Sequence, residues 1–345
     1  VTAVTRAPRK ASLLITRECN LSCGHCGVMA GSADLPLSVW EAILDRLAEA
    51  RVLELTISGG EPLCRKDFHA FIQMVLDRPF RFSLNTNATG LTPDIAAFLG
   101  KAGSRFTSVM AGLDGPDSET HDGIRGPGVF ERAVKGIRTA LEAGLAVVTN
   151  CTVNPMNWSK VAEIAEFTLQ KVGVRGSKFT PMLAARHGIP PRLHLTPGML
   201  VAAGRALEPL ERKGLAVFGP LPDIYHMALD AASGKLPASR GRAFGCGGCR
   251  GKVVIASDGA VIPCDYLDDI VLGRLPDMTF DEIMQSSPTL SFISMVDAPR
   301  ALHPQCSRCG FLQVCSGGCP VNPLLRGDPS GKDDLSCLKM LVEAL

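Results

Sequence analysis

Between residues 12 and 183 the sequence alternates between short β-rich runs and amphipathic stretches, and no other feature restricts the fold as strongly. The runs are 12–16 (SLLIT), 53–58 (LELTIS), 81–86 (RFSLNT), 106–113 (FTSVMAGL), 146–153 (AVVTNCTV) and 177–183 (SKFTPML). Between them, 38–50, 66–77, 92–103, 130–144 and 159–173 carry apolar residues at helical spacing, several closed by a glycine. Strict alternation predicts parallel strands joined by right-handed crossovers. Six such strands form either a barrel or an open doubly wound sheet, and periodicity alone does not choose. Both architectures put chemistry at the C-terminal ends of the strands. The sequence places there the loop of Cys19, the GGEP turn at 59–62, NTNATG at 85–90 and LDG at 113–115.

The cysteines divide the chain further. Of thirteen, three lie at 19, 23 and 26, two stand alone at 64 and 151, and eight follow residue 245. Three regions result: 1–182 as the alternating domain, 183–244 as a bridge containing GIPPRLHLTPG and FGPLPD, and 245–345 as a cysteine-rich domain. An odd count at this density points to metal binding or catalysis in a reducing compartment, not to disulfides. No apolar run approaches the roughly 18 residues that cross a bilayer. The apolar stretch near the N-terminus breaks at Arg17 and Glu18, unlike a signal peptide, so a cytoplasmic protein without membrane partners is expected. With 36 basic against 34 acidic residues, the net charge of +2 gives no electrostatic footprint for nucleic acid.

Cys19, Cys23 and Cys26 follow a C-x3-C-x2-C spacing, with His25 just before the last. Thiolates suit soft metals, and a structural zinc site would take a fourth ligand close by. A [4Fe–4S] cluster held by three cysteines keeps one iron open for a substrate or cofactor. On spacing alone a zinc loop remains the alternative.

Over essentially its whole length the chain resembles the radical S-adenosylmethionine (radical SAM) enzymes. Cys19, Cys23 and Cys26 match the C-x3-C-x-Φ-C signature with His25 in the aromatic position, and SGGEPL (58–63) matches the glycine-rich motif after the second strand. The resemblance implies a partial (β/α)6 TIM-like barrel. It also implies a cluster whose open iron is chelated by the amino and carboxylate groups of S-adenosylmethionine, with Gly59, Gly60, Glu61 and Pro62 around the methionine amine. Glycine suits such a turn because its backbone can approach a ligand closely. Asn85 and Asn87 resemble the family's segment near the adenosyl group. GLDGPDSETHDGIRG (112–126) resembles a Ser-Leu-Asp-Gly-Pro stretch of one branch, making Asp114 and Arg125 candidates for the cofactor or substrate pocket. Gly112 departs from the serine of that branch.

The C-terminal cysteines are similar to the SPASM extension. Cys249, Gly259 and Cys264 fit C-x9-G-x4-C, Cys306, Cys309, Cys315 and Cys319 fit C-x2-C-x5-C-x3-C, and Cys337 stands beyond them. Zinc knuckles are the alternative for such pairs. The resemblance implies a small α+β domain with two auxiliary [4Fe–4S] clusters, one on Cys246, Cys249, Cys264 and Cys319, the other on Cys306, Cys309, Cys315 and Cys337. Cys246 lies outside the seven-cysteine pattern.

The implied activity is reductive cleavage of S-adenosylmethionine to a 5′-deoxyadenosyl radical that abstracts hydrogen from a substrate carbon, with an electron donor such as flavodoxin or ferredoxin. Many peptide modifiers carry an N-terminal leader-binding domain, whereas here the first strand is expected near residue 12. On that ground a small hydroxylated intermediate of antibiotic biosynthesis, a sugar, cyclitol or nucleoside, is expected ahead of a peptide. Dehydrogenation, epimerisation and decarboxylation are the outcomes open to it. Cys151 is expected at the barrel mouth as a hydrogen donor, Asp114, Lys178 and His187 are candidate bases, and Lys178 and Arg192 can hold a substrate carboxylate. A non-catalytic, metal-stapled binding protein is the third class, and it has no use for an open iron. Anaerobically purified protein is expected to hold about twelve irons per chain and to release 5′-deoxyadenosine when reduced with S-adenosylmethionine. Zinc in place of iron, or no cleavage, refutes this assignment.

Overall fold

The computed structural model describes residues 8–26, 34–182, 193–235, 246–297, 304–315, 317–325 and 334–345. Strands β1 (Lys10–Leu14), β2 (Glu54–Ser58), β3 (Arg81–Thr86), β4 (Phe106–Gly112), β5 (Val147–Val153) and β6 (Gly176–Pro181) pair in sequence order, all parallel. Helices α1 (Leu37–Glu49), α2 (Phe68–Leu76), α3 (Pro93–Gly100), α4 (Ser118–Arg125), α5 (Val129–Glu142) and α6 (Val161–Glu166) lie in the crossovers, and α6 runs on as a π-helical turn over Phe167–Val172. This is the expected alternation, with α4 added inside a stretch that reads in the sequence only as a motif. Asp117 starts α4 by accepting the Thr120 N–H at 2.8 Å.

One parity of each strand packs against the helices. Leu13, Ile57, Leu84 and Val109 are buried with Trp40, Phe71, Leu99 and Ile137 in one apolar cluster. The other parity lines the inside of the curved sheet.

The segment expected as a bridge extends the same sheet. It contains α7 (Pro197–Arg212), β7 (Val217–Phe218) and α8 (Pro220–Ala232), and β7 adds in parallel to β6. Its prolines read as loop signals, yet Pro197 and Pro220 open helices, where a missing N–H costs nothing. Thr196 caps α7, its hydroxyl accepting from the Met199 N–H at 3.3 Å.

On the opposite edge, β8 (Lys252–Ile255) pairs in parallel with β1, and β9 (Ala260–Ile262) and β10 (Gly273–Arg274) follow antiparallel. The sheet therefore has ten strands in the order β10-β9-β8-β1-β2-β3-β4-β5-β6-β7. Val253, Ile255 and Phe280 of the cysteine-rich region share the buried cluster of Leu13 and Trp40. A second cluster joins Leu200, Leu207 and Tyr225 to Leu338 and Leu341 near the C-terminus. Among the described residues no helix is long and apolar enough to cross a membrane.

Because the core is shared, Ile255→Ala is expected to destabilise the barrel as well, by about 2–5 kcal/mol. Denaturation should show the loss in the emission of Trp40, in one transition with the far-ultraviolet signal. A local transition that leaves Trp40 unmoved contradicts the shared core.

Candidate active site

The loop carrying Cys19, Cys23 and Cys26 leaves β1 and lies across the turn after β2. Gly60 donates its N–H to the Thr16 carbonyl and Glu61 to the Glu18 carbonyl, both at 2.8 Å. A Cβ at Gly59 would strike the Thr16 carbonyl oxygen, and one at Gly60 the Glu18 carbonyl oxygen. Gly59 also has φ 141°, which side chains disfavour. The close approach that these glycines permit is thus to the backbone of the cysteine loop, a reason the sequence did not disclose.

Glu61, 1% exposed, ties this turn to the next. Its Oε1 accepts from the Thr86 hydroxyl at 2.7 Å and the Leu63 N–H at 3.1 Å, and its Oε2 from the Asn87 N–H at 2.6 Å. Burial raises the Glu61 pKa on balance, although these donors pull it down. Pro62 opens the short turn Pro62–Cys64 that the Glu61 side chain caps. Asn87 donates Nδ2–H to Asn20 Oδ1 at 2.8 Å. Asn85 faces the lumen, with its Oδ1 buried and lacking a hydrogen-bond partner among the described residues. Arg65, which the sequence did not single out, donates to the Ile15 and Leu35 carbonyls at 2.7 and 2.9 Å and so pins the end of β1 to the start of α1.

The other side of the cysteine loop rests on α4. Gly24 donates to the Ile124 carbonyl at 2.9 Å, and the Cys23 thiol to the Arg125 carbonyl at 4.0 Å. Burial pushes the Cys23 thiol up to about 11. Beneath lies a buried charge pair: Arg125 Nε donates to Asp114 Oδ2 at 2.6 Å, and Asp114 Oδ1 accepts the Thr152 N–H at 2.7 Å. Burial alone would raise the Asp114 carboxyl, and the Arg125 guanidinium holds it below its usual range. His25 Nδ1 stands 3.8 Å from Asp114 Oδ2, and burial lowers its pKa. His121 accepts the Asp114 N–H on Nδ1 at 3.0 Å and, driven by burial to a pKa of about 4, is neutral. A Cβ at Gly112 would stand 2.5 Å from Arg125 Nη2 and 2.7 Å from Nη1. The glycine at 112, where the branch has serine, is therefore the space that the guanidinium occupies. Among the described residues Nη1 and Nη2 have no hydrogen-bond partner, which leaves a forked donor pair suited to a carboxylate.

Lys178 and Cys151 fall on opposite faces of the sheet. Lys178, in register with Asn150, faces the lumen, where burial and then the charge of Lys252 lower its pKa. Cys151 follows the parity of Val147 and Val153, is 0% exposed, and packs with Ile164 and Phe179 behind the sheet, 3.5 Å from Asn157 Nδ2. Its expected place at the mouth is corrected: Asn150 and Thr152 line the lumen instead. His187 and Arg192 lie outside the described residues.

In the C-terminal region the thiols gather in two groups. Cys246, Cys249 and Cys264 influence one another's titration, burial pushing Cys249 up to about 12 and Cys264 to about 11, and Cys319 lines the same cavity as Cys246 and Cys264. Cys309 and Cys337 likewise act on Cys315, and Cys309 donates its N–H to the Cys306 carbonyl at 2.9 Å. The two complete sets of four, with Cys246 in the first, stay what the SPASM resemblance implies; among the described residues no three such side chains stand close enough together to hold a single metal ion.

Comparison with known proteins bears on this site directly. The radical SAM superfamily model matches residues 13–168, and the SPASM iron-sulfur cluster-binding domain model matches 246–310. This chain is a radical SAM enzyme with a SPASM domain. It is 29% identical to an AdoMet-dependent heme synthase of Methanosarcina barkeri, over 91% of this chain and 92% of that protein. It is 28% identical to the mycofactocin maturase MftC of Mycobacterium tuberculosis, over 94% and 81% of the two chains. Its fold matches the structure of anSMEcpe with bound AdoMet and Cp18Cys peptide, at a TM-score of 0.77 and 20% identity, covering 98% of this chain and 96% of the other. Streptococcus suis SuiB bound to precursor peptide SuiA matches at 0.76 and 19% identity, covering 96% and 76%. S-adenosylmethionine and [4Fe–4S] clusters are thus the cofactors of this radical SAM enzyme, and the partial barrel is its fold.

Asp114→Asn removes the partner of a buried cation and is expected to cost about 3–5 kcal/mol near neutral pH. Because the native carboxyl titrates below its ordinary value of about 4, this contribution is complete above that pH and disappears as the pH falls through the native value. Denaturant titrations of both proteins should therefore differ equally at pH 8 and pH 5. A difference under about 1 kcal/mol, the scale of an exposed pair, contradicts the buried-pair reading.

Proposed function

We propose that this radical SAM enzyme modifies a peptide, abstracting hydrogen from a carbon of one residue, in place of the small hydroxylated substrate expected from sequence. The lining of the lumen carries the reading. Toward the C-terminal ends of the strands the inward positions are Ser58, Asn85, Gly112, Asn150, Thr152, Lys178 and Thr180, hydroxyls and amides with one cation. Such groups pair with peptide N–H and C=O.

A cavity of about 530 Å³ supports the same reading. It lies between the two ends of the sheet, with Thr180, Asp223 and Met227 on one wall and Cys246, Cys264 and Tyr266 on the other. A side chain held there stands between the lumen and the thiols of the first auxiliary set. The mycofactocin maturase likeness and the peptide-bound fold relatives point the same way.

When bound, the cluster and S-adenosylmethionine supply the radical that abstracts hydrogen. The protein's part is to orient and to move protons. Arg125 offers its free fork to a carboxylate, and Glu61 holds the turns in register. Lys178, its ammonium disfavoured by burial, would accept the substrate proton as the radical's electron passes to an auxiliary iron-sulfur cluster held by the C-terminal thiols. The test is deuterium transfer from a perdeuterated peptide library into 5′-deoxyadenosine. Label in the nucleoside is expected with peptides, and Lys178→Met should keep the label while lowering release of oxidised product at least tenfold. Label from sugars or nucleosides and none from peptides overturns the assignment.

A further inference from the structure

The segment expected as a bridge adds an aromatic ring to the inside of the barrel. In β7, Val217 packs with Phe179 and Leu221 in the second buried cluster, so the next residue, Phe218, falls on the lumen side. It stands in register with Lys178 and is 41% exposed. A Cβ on Gly176 would lie 2.9 Å from Phe218 Cε1, so the ring leans over the glycine of β6 and takes the space a side chain would need. Gly176 is in register with Val148, and Val148 with Met110. Val109, Ala111 and Val147, which flank these two along their strands, pack among the helices, so Val148 and Met110 belong to the lumen wall as well. The row above is Gly112, Asn150, Lys178 and Phe218. The wall is therefore polar in that row and apolar in the row beneath, and the ring of Phe218 joins the two.

Lys178 is held against the same corner. Gly219, at φ 112°, turns the chain directly after Phe218, and a Cβ there would stand 2.9 Å from Lys178 Cγ and 2.8 Å from the Phe179 carbonyl oxygen. From this geometry we infer that Phe218 is a specificity-determining residue: its exposed ring face, with Val148 and Met110, receives an aromatic or branched apolar side chain of the peptide residue that the radical attacks, and so sets that residue beside Lys178. The inference rests on the peptide reading above and names the kind of residue that reading leaves open. The row of Met110, Val148 and Gly176 offers no side-chain donor or acceptor, so a polar side chain seated there would lose water and gain no partner. An apolar one gains contact with a ring whose orientation is already fixed by the glycine beneath it.

The test gives the cluster-loaded enzyme short peptides of random sequence in which one residue type at a time is perdeuterated, and follows deuterium into 5′-deoxyadenosine. Label is expected from aromatic or branched apolar residues. Label confined to other residue types overturns this inference and leaves the peptide reading standing, whereas label from no peptide overturns the peptide reading and this inference with it. With a peptide that transfers label, Phe218→Ala should raise KM by about tenfold or more while kcat changes less, and Phe218→Leu, which keeps an apolar contact, should recover most of the loss. An unchanged KM in Phe218→Ala overturns the inference. Should Phe218→Ala fail to fold, 4-fluorophenylalanine placed at 218 decides the matter by binding alone. Its 19F resonance is expected to move when that peptide is added, and a resonance that stays in place at saturating peptide overturns the assignment.

Discussion

Two backbone hydrogen bonds, from Gly60 and Glu61 to the carbonyls of Thr16 and Glu18, hold the active end of the barrel together. They lay the turn after β2 directly on the root of the cysteine loop, at a distance where no side chain fits on Gly59 or Gly60. The rest of the site depends on that contact. It brings Glu61 to the turn after β3, which sets Asn87, and Asn87 in turn reaches back to Asn20 beside Cys19. The motif residues form a closed circuit of hydrogen bonds, each of which fixes the next.

A second circuit supports the far side of the loop. Asp114 at the end of β4 accepts from Arg125 and Thr152 and donates its own N–H to His121 Nδ1, and α4 presents the carbonyls of Ile124 and Arg125 to the loop. A buried pair of this kind contributes little net stability relative to an apolar core, but it specifies one arrangement. Here that arrangement leaves the outer nitrogens of Arg125 unspent, next to a glycine that makes way for them.

Most of the barrel is legible in the sequence because its signal is local. Apolar periodicity marks β1 to β6 and their helices, and the cysteine spacing marks the loop that leaves β1. The features that escape depend on contacts distant in sequence or on strand parity. Nothing in KVVI announces that β8 will pair with β1, since that partnership spans more than 230 residues of intervening chain. Pro197 and Pro220 resemble breaks because a helix start is defined by the residues on its C-terminal side, not by the proline itself. Cys151 lies at the expected end of β5 but on the other face, because a strand's parity is set by its neighbours' packing. Asn20 and Arg65 carry no motif signal of their own, and their importance is visible only once the turns are stacked.

The pairing of β1 with β8 also fixes how far apart two of the cysteine loops lie. Cys19 lies beyond the C-terminal end of β1, and Cys249 precedes the N-terminal end of β8, so the two cysteine loops sit at opposite ends of one parallel ladder. A ladder of this kind advances about 3.3 Å per residue and does not stretch. The separation between the Cys19 loop and the Cys249 loop is thereby a fixed length of hydrogen-bonded backbone, and it cannot vary as a gap between two independently moving domains would.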